Sequence, residues 1–410
     1  MLIMLLSIFF GLLIFGFPLY VVILLSSLVT FIVFYPHLPL SMVCQQMVDG
    51  FRIFTLLAVP LFIFSGKMLG HVPGGLAHTA VGSCAVFGAI SGSTAATVAA
   101  IGGAIYPKLL KAGYKDTFSL GLIVNASNLA ALIPPSILMI LYGVQVKCSI
   151  GEMFIAGIVP GIMITIMFMA YCYYWAVKNK VPLEPKAGWK VRWEAFKDAK
   201  WALGLPVIII GGMFGGIFSP SETAAVAALY SIIVEFVIYR SLKLRDLYKI
   251  ALDTGVLTAV VFILFGTSQF FSWMLSFSQV PQNLLSMLVG SPWMNKWTFL
   301  LLVNVCFFIA CMVIDGAPAM MIMNPILFPI AMKYGLDPIH LGIIITTQTT
   351  IGAGTPPFGI NIFTACVAFK ECYMKVISEV WVFIAILLFA AFLISVFPQL
   401  SLWLPRLLFR

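Results

Sequence analysis

The stretch Asn125-Ala126-Ser127-Asn128-Leu129-Ala130-Ala131-Leu132-Ile133-Pro134-Pro135-Ser136 decides how this chain folds. It lies in a run from Thr117 to Val146 that holds no Asp, Glu, Lys or Arg. Proline removes a backbone donor and collides with the preceding helical turn, so two in succession force unwinding. Three polar side chains stand just ahead of that break. Moved along by 222 positions, the pattern returns as Thr349-Thr350-Ile351-Gly352-Ala353-Gly354-Thr355-Pro356-Pro357-Phe358-Gly359.

Further matches lie outward from the break. In the same register Tyr106-Pro107 falls on Phe328-Pro329, Gly113 on Gly335, and Ser93-Thr94-Ala95 on Asp315-Gly316-Ala317. Asn125, Ser127 and Asn128 meet Thr347, Thr349 and Thr350. Earlier, LLAVPLFIFSG (56–66) resembles VLTAVVFILFG (256–266) at an offset of 200, so the first half is 22 residues shorter between Gly66 and Ser91. The chain reads as two repeats.

Composition supplies the solvent. Of 410 residues 62% are hydrophobic and 9% charged, against roughly 25% charged in a soluble domain. Mean hydropathy is +1.10. Such a chain cannot cover itself for water, and its long charge-free runs exceed the roughly 20 residues of a spanning helix. They are continuous rather than alternating, which argues against a β-barrel. The expectation is an all-α polytopic membrane protein. Met1–Tyr35 lacks a basic leader and reads as a retained anchor bent near Pro18. The net charge of +9 reflects basic loops rather than nucleic-acid binding. The eight Cys show no CxxC and read as free thiols.

The basic segment 178–200 reads as a cytoplasmic loop by the positive-inside rule. Apolar segments 201–217 and 223–239 then return the chain to a second basic stretch, and 242–252 reads as an amphipathic arm. Counting spans places 108–115 inside and 333–337 outside, so the repeats are expected to be inverted. The organisation expected is 1–55 scaffold helices and arm, 56–177 first repeat, 178–253 loop, scaffold helices and arm, 254–375 second repeat, and 376–410 a C-terminal span. Each repeat should hold a re-entrant helical hairpin (about 80–115 and 298–335) and a broken helix (about 118–146 and 338–369).

Unwound backbone in a bilayer is tolerated only where protein or water satisfies it. Its carbonyls, with Ser, Thr and Asn oxygens, suit a hard cation such as Na⁺, and half-helix N-termini suit a carboxylate. Small-residue clusters also serve plain helix packing, but two matched pairs of them favour a site. Asp315 is the lone acid among these motifs; an intramembrane acid reads as a cation ligand or coupling site, with a neutral or solvated residue at the membrane surface as the alternative. Glu222 reads as a helix-start acid. His37, His71, His78 and His340 lack metal spacing and read as interfacial or packing residues; Lys67 and Arg52 read as snorkelling.

Taken together, LLAVPLFIFSGKM (56–68), GHVPGGLAH (70–78), GAISGSTAATVAAIG (88–102), IPPSILMILYG (133–143), EMFIAGIVPG (152–161), GIFSPSETAAVAALY (216–230) and GTPPFGINIF (354–363) resemble the large membrane subunit (M subunit, DctM-like) of tripartite ATP-independent periplasmic (TRAP) transporters. The resemblance implies an elevator-type, Na⁺-coupled importer of the ion-transporter-superfamily plan in a bacterial inner membrane. It implies one Na⁺ site at Ser91, Gly92 and Ser93 with Asn125, Asn128 and Pro134. A second would use Asp315, Gly316, Thr349, Thr350, Gly354 and Thr355. Substrate would lie between the tips, against Ser93, Thr94, Asn125, Ser127, Gly354 and Thr355. Implied partners are a small TRAP membrane subunit, a periplasmic substrate-binding protein, the lipid bilayer and a small organic acid of the C4-dicarboxylate, sugar-acid or sialic-acid class. No nucleic acid, organic cofactor or catalytic residue is implied.

Two departures stand out. The family usually carries a longer segment between the positions of Gly70 and His71, and often an acid near Thr97. A stand-alone Na⁺/dicarboxylate symporter of the divalent-anion type shares the same plan. An intramembrane hydrolase is disfavoured, since there is no HExxH and no Ser–His pair at one depth. A passive structural subunit would not explain matched helix breaks.

Overall fold

A computed structural model describes residues 66, 68, 70–182, 188–215, 217–218, 220–240, 248, 252, 255, 294–313, 315–357 and 359–409. The expectations for 1–65, for the 256–266 match and for most of the arm at 242–252 lie outside these residues. Contacts divide the chain into one unit of Ile53–Pro206 with Pro281–Arg410 and another of Met1–Arg52 with Val207–Val280. The described residues are helical and include no strand.

In the larger unit α1 (Gly75–Ser91) turns at Gly92 and Ser93 into α2 (Thr94–Thr97), a π turn (Val98–Gly102) and α3 (Gly103–Lys111). Gly92 takes φ 63° and its N–H closes on the Gly88 carbonyl, a left-handed cap that glycine adopts without a Cβ penalty. Then come α4 (Asp116–Ala126), a 3₁₀ turn (Ser127–Ala131), the Pro134-Pro135 break and α5 (Ile137–Val146). The long α6 (Ile150–Lys178) starts at a serine N-cap: the Ser149 hydroxyl accepts from the Glu152 N–H at 3.2 Å, with the acid Glu152 in the first turn.

The second segment repeats this order. It runs α9 (Lys296–Val313), α10 (Gly316–Lys333), α11 (Pro338–Ala353), the Pro356-Pro357 break and α12 (Ile360–Phe369). Most boundaries coincide under the shift of 222: Ser91 with Val313, Thr94 with Gly316, Lys111 with Lys333, Asp116 with Pro338, and Ala131 with Ala353. Gly113 and Gly335 both have positive φ. After the break the shift becomes 223, and Lys147 (φ 59°) and Lys370 (φ 58°) are matching left-handed caps. Both hairpin-like pairs begin a few residues earlier than expected, at Gly75 and Lys296. The 17-residue α1 is nearly as long as the 18-residue α9. The length deficit therefore does not shorten α1; it falls before Gly75.

Packing is crosswise. The first arm of each pair, α1 or α9, lies on the first half of the broken helix of its own segment. The second arm lies on the second half-helix of the other segment: α2 and the π turn on α12, α10 on α5. At the first seam a Cβ on Gly102 would meet Phe369 at 2.4 Å, and Tyr106 stacks on Phe369 at 5.0 Å. At the second, Asn324 donates to Gln145 Oε1 at 2.9 Å. The long α6 packs against α1, α5, α11, α14 (Val380–Val396) and α15 (Gln399–Phe409). Between α12 and α14 the short α13 (Tyr373–Ile377) carries Lys375, which pairs with Asp116 and Glu371. Tyr106 donates to both carboxylates, to Glu371 at 3.0 Å. Hydrogen bonds to Asp116 and then Glu371 hold Lys375 up to about 12.

Among the described residues α6 alone is long and apolar enough to cross a bilayer unaided, and α14 with α15 passes as a pair bent by 55°. The other apolar helices are shorter because the prolines and tight turns divide them.

One expectation needs correcting. Residues 189–200 are not loop: α7 (Trp189–Phe214) runs through them into the apolar stretch. Ala195, Ala199 and Ala202 are buried at helical spacing, a face that the many charges conceal in the sequence. In the other unit α8 (Pro220–Ile233) carries Glu222 in its first turn, as expected, and continues as a π turn (Val234–Ile238). The described cysteines are free. His78 and His340 are buried, the latter 2.7 Å from Ser401 Oγ, and His71 lies 3.4 Å from Arg192.

Candidate functional site

The two broken helices meet where their regular hydrogen bonding fails. α11 packs against both the 3₁₀ turn and α5. At the first break, Asn125 donates to the Gly121 carbonyl at 3.0 Å and Ser127 to that of Ile123 at 2.7 Å. These back-bonds compete with the ladder and tighten the last turn. Asn128 Oδ1 accepts from Asn361 Nδ2 of α12 at 2.8 Å. A Cβ on Gly354, from the second break, would stand 3.0 Å from Asn128 Nδ2 and 3.1 Å from Asn125 Oδ1.

Residues far apart in sequence thus form one polar cluster: Asn125, Asn128, Gly354 and Asn361. All three asparagines are fully buried. Asn125 Oδ1, Asn361 Oδ1 and Asn128 Nδ2 have no hydrogen-bond partner. Each such atom costs about 1–3 kcal/mol when left unsatisfied, so a polar guest here would be stabilised by atoms that otherwise lack a partner. Two free carboxamide oxygens suit a hard cation, which passes the test of fit for Na⁺. No group of three or more His, Cys, Asp or Glu occurs among the described residues, so the donors here are of the neutral oxygen type.

The hairpin tips bring further groups. Ser91 Oγ accepts from the Ser93 N–H at 3.2 Å and Ser93 Oγ from the Ala96 N–H at 3.4 Å, so Ser93 caps α2. The Thr97 hydroxyl closes on the Ser93 carbonyl at 2.8 Å. This tip rests on the first break: α2 packs on the 3₁₀ turn, and a Cβ on Gly88 would meet Ala130 Cα at 2.5 Å. Thr94 is half-buried in α2's first turn, and Pro134 is buried. At the second tip a Cβ on Gly316 would fall 2.0 Å from Thr349 Cγ2. Apart from a weak thiol contact from Cys311, Thr349 Oγ1 has no partner. Asp315 stands at the N-cap position of α10, its carboxylate turned to the Gly316 and Ala317 N–H groups, and is exposed.

Three hydroxyls are already committed. Ser127, Thr350 and Thr355 donate to Ile123, Thr347 and Ile351 at 2.7, 2.8 and 2.6 Å. Their lone pairs remain open to a cation, but their protons are not free for a carboxylate.

Sequence reasoning passed over several buried polar residues. Asn361 was one; Gln348, which donates to Asn304 at 2.5 Å, was another. Asn324 and Glu235, in the π turn after α8, are also buried. A lone polar residue in an apolar helix is the signal that would have found them.

Helices interrupted at two proline pairs, with buried amides at their meeting point, define a helical membrane protein built around a polar interior. The comparisons narrow this to one family. Residues 6–400 match the model of the DctM component of the tripartite ATP-independent periplasmic transporters, and the chain belongs to that family of large TRAP permeases. It is 46% identical to the ectoine TRAP transporter large permease protein TeaC of Halomonas elongata, over 98% of each chain. It is 44% identical to the ectoine/5-hydroxyectoine large permease UehC of Ruegeria pomeroyi, over 97% of each, and 36% identical to the C4-dicarboxylate large permease DctM of Pseudomonas aeruginosa, over 93% of each. It also matches, at 35% identity over 85% of its own length and 58% of the relative, the isethionate TRAP transporter permease protein DctMQ of Oleidesulfovibrio alaskensis. These relatives are permease proteins, not enzymes.

Proposed function

We propose that this chain is the transport subunit of a Na⁺-coupled, binding-protein-dependent importer of small organic acids in a bacterial inner membrane. It works by an elevator movement of two inverted repeats, each a re-entrant hairpin and a broken helix. The observation that carries the reading is the pairing of coincident element boundaries with unpartnered buried amides where the two breaks meet. Matched breaks forfeit backbone bonds, and a passive scaffold has no use for that loss.

In this reading the Asn125–Asn128–Gly354–Asn361 cluster and the two tips face one solute. Na⁺, when bound, would supply positive charge beside the substrate carboxylate. Asn125 and Asn128 with Ser91, Gly92, Ser93 and Pro134 would hold one ion. Asp315, Gly316, Thr349, Thr350 and Gly354 would hold the other. The N-terminal ends of α2 and α10, at Thr94 and Gly316, would present backbone N–H groups to an anion. Ser93 and Thr94 at the first tip, with Asn125, Ser127, Gly354 and Thr355, would line the substrate. Ser127 and Thr355, whose protons are committed, would meet a donor group of the substrate or a bound cation rather than its carboxylate. A small membrane subunit and a periplasmic binding protein complete the system. The relative named DctMQ, longer than this chain, supports such a pairing. Two relatives of high identity are named for ectoine, which carries a carboxylate, so ectoine joins C4-dicarboxylates, sugar acids and sialic acid among the solutes to try.

The experiment is uptake into proteoliposomes holding this chain and the small subunit, with each candidate solute on its binding protein. Uptake is expected with an inward Na⁺ gradient and to vanish when K⁺ replaces Na⁺ or the binding protein is omitted. Asp315→Ala should abolish it without preventing insertion. Uptake without binding protein would favour the stand-alone symporter, and wild-type rates in Asp315→Ala would remove that residue from the site.

A further inference from the structure

The first half of α7 has two unlike sides. Ala199 and Ala202 are 0% exposed and Ala195 is buried with them, whereas Trp189 is 77% and Trp193 51% exposed. At 3.6 residues per turn, 189, 190, 193, 194, 196, 197, 200 and 201 fall on the side opposite those alanines. That side carries Trp189, Trp193 and Phe196 interleaved with Lys190, Lys197 and Lys200, all exposed. Trp193 and Phe196 stack at 5.5 Å, and Lys200 Nζ stands 4.9 Å from the centre of the Trp201 ring. Glu194, also exposed, falls on this side between Lys190 and Lys197, and Asp198 lies toward a flank, so the outward face holds three positive charges and one negative. The same helix continues without a break into the apolar stretch that ends at Phe214.

Indole rings with an apolar body and a polar edge belong at the level of lipid headgroups. A cluster of lysines next to a membrane segment is attracted to anionic lipid. We infer that this face of α7 is a docking surface for anionic phospholipid headgroups of the bilayer that holds the chain, with the aromatic rings in the headgroup layer and the three ammonium groups on the phosphates. The inference rests on the membrane placement of the permease and goes beyond its transport reaction.

The test uses the full chain in mixed micelles of phosphatidylglycerol and phosphatidylcholine, with bound lipid counted by native mass spectrometry. The wild type is expected to prefer phosphatidylglycerol. The triple variant Lys190→Gln/Lys197→Gln/Lys200→Gln should lose that preference by roughly tenfold, and about 0.5 M salt should weaken it in the wild type. Equal preference in wild type and variant overturns the inference. So does a variant that keeps its lipid preference but no longer co-purifies with the small membrane subunit, since the face would then belong to a protein partner. Uptake measured on the same preparations keeps the two readings apart: loss of lipid preference with retained transport leaves the permease assignment untouched.

Discussion

Gly354 is where a single atom decides whether the two breaks can share a site. A methyl group there would sit 3.0 Å from Asn128 Nδ2 and 3.1 Å from Asn125 Oδ1, tighter than ordinary contact. Gly354→Ala is therefore expected to cut uptake at least tenfold while the protein still reaches the membrane. Overpacking of this kind costs about 1–3 kcal/mol, and a thermal midpoint in detergent separates that cost from the loss of transport. Near-normal uptake would mean that the space between the amides is not used. At this scale the sequence was only partly legible. Asn125, Asn128 and Gly354 could be picked out beside a proline pair. Asn361 could not, because its meaning comes from a partner 233 positions away. Nor does sequence tell a free hydroxyl from a committed one: Ser127, Thr350 and Thr355 look like proton donors to a solute until their back-bonds are seen.

Among elements, the double prolines and the Gly92 turn were readable because each acts on its own backbone. The helix at 189–200 was not, because charge masked its alanine face. The pairing of α13 with the start of α4 was also hidden, for Asp116 and Glu371 are ordinary surface acids until Tyr106 and Lys375 join them. Tyr106→Phe removes hydrogen bonds to two carboxylates and is expected to cost about 1 kcal/mol. Lys375→Met, at a more exposed pair, should cost less than about 1 kcal/mol. Thermal unfolding of both variants checks the order, and faster amide exchange over 371–377 in each would show which element was released. The raised Lys375 value carries a sign as well. The contribution of this ammonium is complete below the ordinary lysine value and fades only as pH climbs through about 12. Raising pH from 7 to 9 should leave this pairing unaltered.

For the whole molecule, the internal match of 222 positions was legible from two proline pairs and a few small residues. The crosswise packing was not, because nothing in one segment names the surface on which its second arm will lie. α2 and the π turn need α12, and α10 needs α5. Two fragments divided between α6 and α7 and produced in one cell should therefore be recovered together from the membrane, and each produced alone should be degraded; independent accumulation of either would count against the seams. Neither portion owns a complete seat for its own hairpin. A product bearing one segment alone would have to find the missing seat in a second molecule, so holding both segments in one polypeptide fixes a partnership that the surfaces themselves already demand.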